Sequence, residues 1–356
     1  MDAADVGHCL LIGANRTGSA VPWLTGWPVT ALAYVLVTPG EPDVLLVGFY
    51  NHVPNARRLV RDADVRWSGH DPIAELISLL RHRSAASLGV IGALDANGAG
   101  RLRAEMTVRD LGAQFLRLRL RKSAEEVAAL RQAAALTDIA ASALTEPASI
   151  GLTEYALSAK VEHAYMSRGG GHHIHYLAVS PMSRPDRCVP GQWPTERVMG
   201  EGDLLTFELS ATSAPDYPGQ LLRTFAVASE PTPLVRELHA VASAAFDAIV
   251  ARLRPGVLPG ELIEAAQVIE AAGFTTLDDL VHGFGGGYLP PVVGSASRRL
   301  GPVSEEPLEE GMTLVVQPNV ITPDAAIGVQ TGELVHLTAQ GAELLHSFPP
   351  GLGRIG

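Results

Sequence analysis

Cysteine is nearly absent. Cys9 and Cys188 are the only two in 356 residues, far apart and without C-x-x-C spacing. That excludes a disulfide framework and a thiolate metal site, and two free thiols are expected. No apolar run approaches the roughly 20 residues that a membrane-spanning helix needs, so no membrane partner is expected. The first residues lack a basic stretch leading into an apolar segment, which makes a cytoplasmic chain the expectation. No G-x-G-x-x-G follows a strand pattern, which argues against a nucleotide, and no cofactor is expected. Basic charge is also short: 27 Lys and Arg face 38 Asp and Glu, for a formal net charge of −11 and a pI near 5.5. Such a chain repels phosphate backbones, which excludes a nucleic-acid partner.

What is present is an ordinary soluble composition, 47% hydrophobic and 18% charged, over a length that suggests two domains rather than one core. The first third reads as α/β. Gly7–Ala14 is a short apolar strand, and Trp23, Leu24, Thr25, Gly26 and Trp27 form a turn with aromatic flanks. Ala31–Thr38 and Val44–Phe49 are apolar runs around Pro39-Gly40-Glu41-Pro42, a hairpin signal. Ile73, Leu76, Ile77 and Leu80 share one face of a helix over Asp71–Arg81. Ser87–Ile91 and Phe115–Leu120 read as further strands.

A second unit starts near Arg121. Ser123 with Glu126 makes a capping box for a helix running to about Thr145, and Thr153 caps another that ends at Met166, before the glycines 169–171. His172, His173, His175 and Tyr176 lead into a strand, Leu177–Ser180. His-x-His on a strand puts His173 and His175 on one face, as zinc sites sometimes do. With no third ligand evident nearby, hydrogen-bonded sheet histidines are the expected reading. Pro233–Arg252 is an amphipathic helix, and Pro259-Gly260 opens another through Ala272.

The stretch that organises this unit is Gly202–Phe225. An apolar strand, Leu204–Phe207, ends on an acid, Glu208. A turn follows through Pro215, Asp216, Tyr217, Pro218 and Gly219, and a second strand carries Gln220 to Phe225. A hairpin whose two strands each offer one polar side chain inward brings two chemical groups within a few ångströms on one sheet face. Later, His282 leads into glycines 283 and 285–287, where a backbone without side chains lets a substrate approach. Glu309–Met312 then turns into the strand Leu314–Val316, which ends on Gln317, and Gly328–Thr338 is a strand with Gln330 and Glu333 near its start.

Together RLRKSAEEVAALRQAA, GDLLTFE, LRTF, HGFGGG, EEGMTLVVQPNV and GVQTGELVHLT resemble, in order, the pita-bread family of methionine aminopeptidase, aminopeptidase P, proline dipeptidase and creatinase. PWLTGW resembles the small domain carried by the last three. The resemblance implies an α/β (α+β) pita-bread fold over residues 121–356, preceded by a smaller creatinase-like α/β domain over 1–120. A homodimer is implied as well.

Metallopeptidases of this family hold two divalent ions with two Asp, a His and two Glu. By position these fall on Glu208, Gln220, His282 (or Gly286), Gln317 and Gly332. Dications want anionic oxygen ligands, and amides or a glycine do not supply them. A one-residue slip changes the sheet face, so Glu333 does not replace position 332. The sequence thus leads to the expectation of a site without metal: an enzyme acting on a small nitrogen-containing molecule by C–N hydrolysis or proton-transfer-driven elimination or rearrangement. Glu208 and His282 would be catalytic. Gln220, Gln317, Tyr217, Tyr288, Gln330, His173 and His175 would bind the small-molecule substrate. The alternatives are a metal-dependent Xaa-Pro aminopeptidase or dipeptidase with an unusual site, and a non-catalytic binding protein.

Overall fold

The computed structural model describes residues 1, 4–15, 20–214 and 217–356. It divides into two compact units, Met1–Arg119 and Leu120–Gly356. No described helix is long and apolar enough to cross a membrane.

In the first unit, β1 (His8–Ala14), β2 (Leu32–Val37), β3 (Asp43–Val47), β4 (Ala63–Trp67), β5 (Ser87–Ile91) and β6 (Thr107–Asp110) form one sheet in the order β4-β3-β2-β1-β5-β6. The central pairs are antiparallel and the outer ones parallel. Asp71 starts the helix Pro72–His82 by accepting from the Ala74 N–H at 3.0 Å, and the helix buries Ile73, Leu76 and Leu80. The segment expected as the strand Phe115–Leu120 is instead part of a helix, Gly112–Leu120. Its Phe-Leu-Arg-Leu-Arg-Leu alternation imitates a strand. None of these residues is β-branched, however, and Leu and Arg are good helix formers. As a helix it buries Phe115 and Arg119, four residues apart. The aromatic turn at 23–27 likewise contains the end of a helix, Ala20–Thr25.

The second unit holds β7 (Gly171–Pro181), β8 (Asp203–Ala214), β9 (Tyr217–Pro218), β10 (Leu221–Val227), β11 (Thr275–Thr276), β12 (Val281–Phe284), β13 (Tyr288–Val293), β14 (Thr313–Val316), β15 (Val320–Ile321), β16 (Gly332–Thr338), β17 (Gly341–Leu344) and β18 (Gly353–Ile355). Its main sheet runs β13-β12-β14-β16-β10-β8-β7, with β9, β17 and β18 attached, and β11 pairs with β15. The helix Ala124–Leu144 begins at the expected capping box: Ser123 Oγ accepts from the Glu126 N–H, and Glu126 Oε2 from the Ser123 N–H at 2.7 Å. With the helix Glu154–Met166 it packs Ala140, Leu144, Leu157, Val161 and Tyr165 onto Leu177, Val179, Leu205, Phe207 and Leu209. The helix Pro233–Arg252 covers the other half through Leu238, Ala242 and Ile249, against Val281, Leu314, Val316 and Val335. Beyond it, the helix expected over 259–272 is split into Pro259–Ala265 and Val268–Ala271.

β8 does not stop at Glu208 but runs on to Ala214. Its odd-numbered residues 205–211 are in the core beneath the helices. Strand alternation therefore turns Thr206, Glu208 and Ser210 to the opposite face. Pro215 and Asp216 of the expected turn lie outside the described residues. Gly219, on the return, passes so close to the helix Ala124–Leu144 that a Cβ would stand 2.8 Å from the Ala133 carbonyl and the Ala134 backbone. Only glycine fits there.

The expectation that His173 and His175 share a face is not met. β7 pairs His172 with Ala211 and His175 with Leu209, but a bulge falls between His172 and Ile174. One extra residue breaks the period of two. Ala211 and Leu209 point the same way, so His172 and His175 do too, and His173 is left on the other side.

Glu154, fully buried at the start of its helix, holds the segment that follows β7. Its Oε1 accepts from the Val179 N–H at 3.0 Å and from Arg187 Nη1 at 2.9 Å, and its Oε2 from the Thr195 N–H at 2.9 Å and hydroxyl at 2.6 Å. Removing one partner of such a set leaves buried donors unpaired. Glu154→Ala is therefore expected to lower the unfolding free energy by roughly 3–5 kcal/mol, measured by denaturant titration; a loss within experimental error would refute this role.

Candidate active site

On the face of the sheet away from the helices lies a cleft of about 610 Å³. Its polar lining includes Glu208, Gln220, Asp278, His282, Gln317 and Gln330, and its apolar lining Ile174, Val189, Pro190, Leu277 and Phe284. His173 and Tyr288 stand at its edge. The hairpin brings its two polar groups together as expected: Gln220 Nε2 donates to Glu208 Oε1 at 2.9 Å and to Gln317 Oε1 at 3.1 Å. Gln317 Nε2 in turn donates to Asp279 Oδ1 at 3.0 Å, and Tyr288 donates its hydroxyl proton to Asp279 Oδ2. The result is one buried chain, acid–amide–amide–acid–phenol, drawn from β8, β10, β12–β14 and their flanks.

Burial governs the charges. It pushes the Glu208 carboxyl up to about 8, and the negative charges of Asp278 and Asp279 add to the rise. Asp279 is pushed up to about 6 by burial, against the hydrogen bonds from Tyr288 and Gln317. Asp278 is raised by burial and by its neighbour Asp279. His282 is lowered to about 4, chiefly by burial, so its imidazole is neutral. Its Nδ1–H donates to the Gly283 carbonyl at 3.1 Å, which leaves the lone pair on Nε2, and its ring stacks on Tyr288 at 4.2 Å. At neutral pH the cleft thus presents a protonated Glu208, a neutral imidazole and amides, beside the Asp278 carboxyl.

Two of the expected binding residues are elsewhere. Tyr217 is not among the cleft-lining residues; it donates to Glu126 Oε1 at 2.5 Å and packs with Leu130, Leu222 and Phe284. His175 faces the helix side, its ring 5.3 Å from that of Tyr165, because of the bulge in β7. Conversely, the sequence reading passed over Asp278 and Asp279, so Glu208 is not the cleft's lone acid. The Asp-Asp pair three and four residues before His282 was visible; what hid it was its place in a loop outside the strand patterns.

A centre of two divalent ions does not fit these residues. The amide of Gln220 donates N–H to the very carboxylate that would have to bind an ion, and Gln317 faces Asp279 in the same way. At position 332 a Cβ would lie 2.3 Å from the Val316 carbonyl oxygen, so no acidic side chain enters there. Glu333 belongs to the other face, where Arg223 Nη2 holds its Oε2 at 2.5 Å. Gly286, the alternative to His282, offers no side chain.

The profile of metallopeptidase family M24 matches residues 128–339. A probable dipeptidase PepE of Mycobacterium bovis is 27% identical over 243 residues, 65% of this chain and 60% of that one. The Xaa-Pro aminopeptidase of Escherichia coli is 26% identical over 256 residues, 64% of this chain and 56% of that one. These matches span about three-fifths of the relatives' length. Among solved structures, an X-Pro aminopeptidase from Thermotoga maritima superposes with a TM-score of 0.82 at 19% identity, covering 98% of both chains. A prolidase from Pyrococcus horikoshii gives 0.80 at 22%, covering 99% of this chain and 96% of its own. The pita-bread fold is thereby borne out. The expectation of a metal-independent enzyme acting on a small nitrogen-containing molecule is overturned: the matching family is one of metallopeptidases, and the relatives are named as peptidases. The altered ligand positions do not by themselves indicate a new reaction class.

Glu208 makes stability depend on pH in a definite direction. Its folded pKa stands above the unfolded 4.5, so its contribution is full at low pH and is lost as pH rises toward about 8. His282, shifted the other way, acts only below pH 6.5. Between pH 6.5 and 8.5 the wild type should lose about 1–2 kcal/mol that Glu208→Gln retains. Equal pH slopes for both proteins in urea melts would show Glu208 ionised at neutrality.

Proposed function

The chain belongs to metallopeptidase family M24, and on that premise we propose that it is a peptidase of the Xaa-Pro dipeptidase and aminopeptidase type with an altered site, acting on short peptides. The observation that carries this is a pair of orphan acceptors. Gln220 Oε1 and Gln330 Oε1 are buried without a hydrogen-bond partner among the described residues, and both side chains line the cleft. A buried unpaired acceptor costs about 1–3 kcal/mol, which a ligand N–H recovers. The amino end of a peptide supplies such donors, and the Asp278 carboxyl, which lines the same cleft, is a further acceptor for it. Glu208, protonated at neutrality, donates to a substrate carbonyl instead of repelling the peptide's carboxylate. Ile174, Val189, Pro190, Leu277 and Phe284 form the apolar wall on which a prolyl ring packs. A volume near 610 Å³ admits a short peptide.

A panel of Xaa-Pro and Xaa-Ala dipeptides, assayed with and without added manganese or cobalt, tests the reading. Release of free proline with saturation kinetics is expected. Peptides that raise the melting temperature but are recovered intact under every condition would replace a peptidase with a peptide-binding protein. Gln330→Leu, which removes one orphan acceptor at similar volume, is expected to raise KM roughly 5- to 30-fold. An unchanged KM would move the amino end away from this residue.

A further inference from the structure

On the helix side of β7, across the sheet from the cleft, Glu162, His172 and His175 come together, each offering one ligand atom within 4.8 Å of the others. Glu162 Oε1 lies 3.6 Å from His172 Nδ1 and 3.7 Å from His175 Nδ1. Metal–nitrogen bonds of about 2.0–2.1 Å and metal–oxygen bonds of about 2.0–2.2 Å at tetrahedral angles separate ligand atoms by roughly 3.3–3.5 Å. Each imidazole–carboxylate pair therefore needs to close by only a few tenths of an ångström, and the two imidazole nitrogens lie within 4.8 Å of each other. At these separations the carboxylate does not hydrogen-bond to either imidazole, so the Nδ1 atoms that face it are left for another ligand-binding role.

The arrangement is built. The bulge at His173 puts His172 and His175 on one face, their rings edge to face at 4.5 Å. Tyr165 packs against His175 and fixes it, while Glu162, on the helix Glu154–Met166, and His172 remain half open to solvent. The inner ligand is thus pre-positioned, and the outer two leave an entry path.

We propose that Glu162, His172 and His175 bind one transition-metal ion, with the donor set of a zinc site, and so tie the helix Glu154–Met166 to β7. Two imidazoles and one carboxylate suit zinc and cobalt, not calcium or magnesium, and a fourth position stays open to water. The site is separate from the cleft. By holding the bulge, however, it fixes the turn that carries His173 to the cleft edge.

The test uses the full-length protein, stripped of metal and titrated with Zn²⁺ by calorimetry and with Co²⁺ by visible absorption. One equivalent is expected at this site, with the d–d bands of tetrahedral cobalt. A rise in melting temperature of about 5 °C is expected at a hundredfold excess over Kd. His172→Ala, at an exposed position that folding tolerates, should weaken that equivalent by more than about 100-fold, since even groups supporting a ligand are worth 10- to 100-fold. Glu162→Gln should weaken it as well, whereas Glu208→Gln in the cleft should leave it intact. Absence of saturable binding, or binding undiminished in His172→Ala and Glu162→Gln, would overturn the site.

Discussion

The hydrogen-bond chain Glu208–Gln220–Gln317–Asp279–Tyr288 is the constraint on which the cleft depends. It ties the strands on both sides of the sheet centre together through side chains alone. Its middle members are neutral, so the acids at its ends do not face each other across a dry cavity, where like charges would raise each other's pKa further. Each amide spends its donors on an acid or on the other amide, which leaves the acceptor oxygen of Gln220 free for a ligand. Stability and recognition therefore rest on the same few atoms.

Around that chain, the sheet assigns every group to a face. Gly332 pairs with Leu222, while Glu333, one residue on, pairs with Leu221 and meets Arg223 behind the sheet. The glycine lets the Val316–Gln317 backbone pass at a distance no side chain permits, and this close passage puts the Gln317 amide within reach of Gln220. In β7 the bulge performs a comparable sorting, sending His173 toward the cleft and His172 with His175 toward the helices. Helix packing in turn depends on Glu154, whose carboxylate anchors the strap bearing Val189, Pro190 and Gln192 along the cleft wall.

Much of the fold was legible because local signals agreed with one another. The Ser123–Glu126 capping box, the Thr153 cap, the helical period of Ile73, Leu76, Ile77 and Leu80 and the long apolar runs each specified an element through nearby residues. The segment 112–120 misled because its alternation has no β-branched residue behind it, and helix propensity won. Glu208 could be found because an acid stood where the strand pattern calls for an apolar residue, and Gln220, His282 and Gln317 because they fall at the ligand positions of the resembled family. Asp278 and Asp279 could not be found in that way: in a loop, two acids are the ordinary choice.

By itself, the sequence determined the order of elements and the presence of a histidine-rich strand, since these are matters of residue type and local period, and its resemblance to the family showed amides at two positions where that family has acids. Only the tertiary structure decided which of those histidines share a face, which acids lie within reach of Glu208, and that burial pushes the Glu208 carboxyl up. A bulge changes facing without any change of composition, and a carboxyl's pKa is set by burial and by charges far away along the chain. Both are properties of what is packed around a residue, and a linear pattern does not contain them.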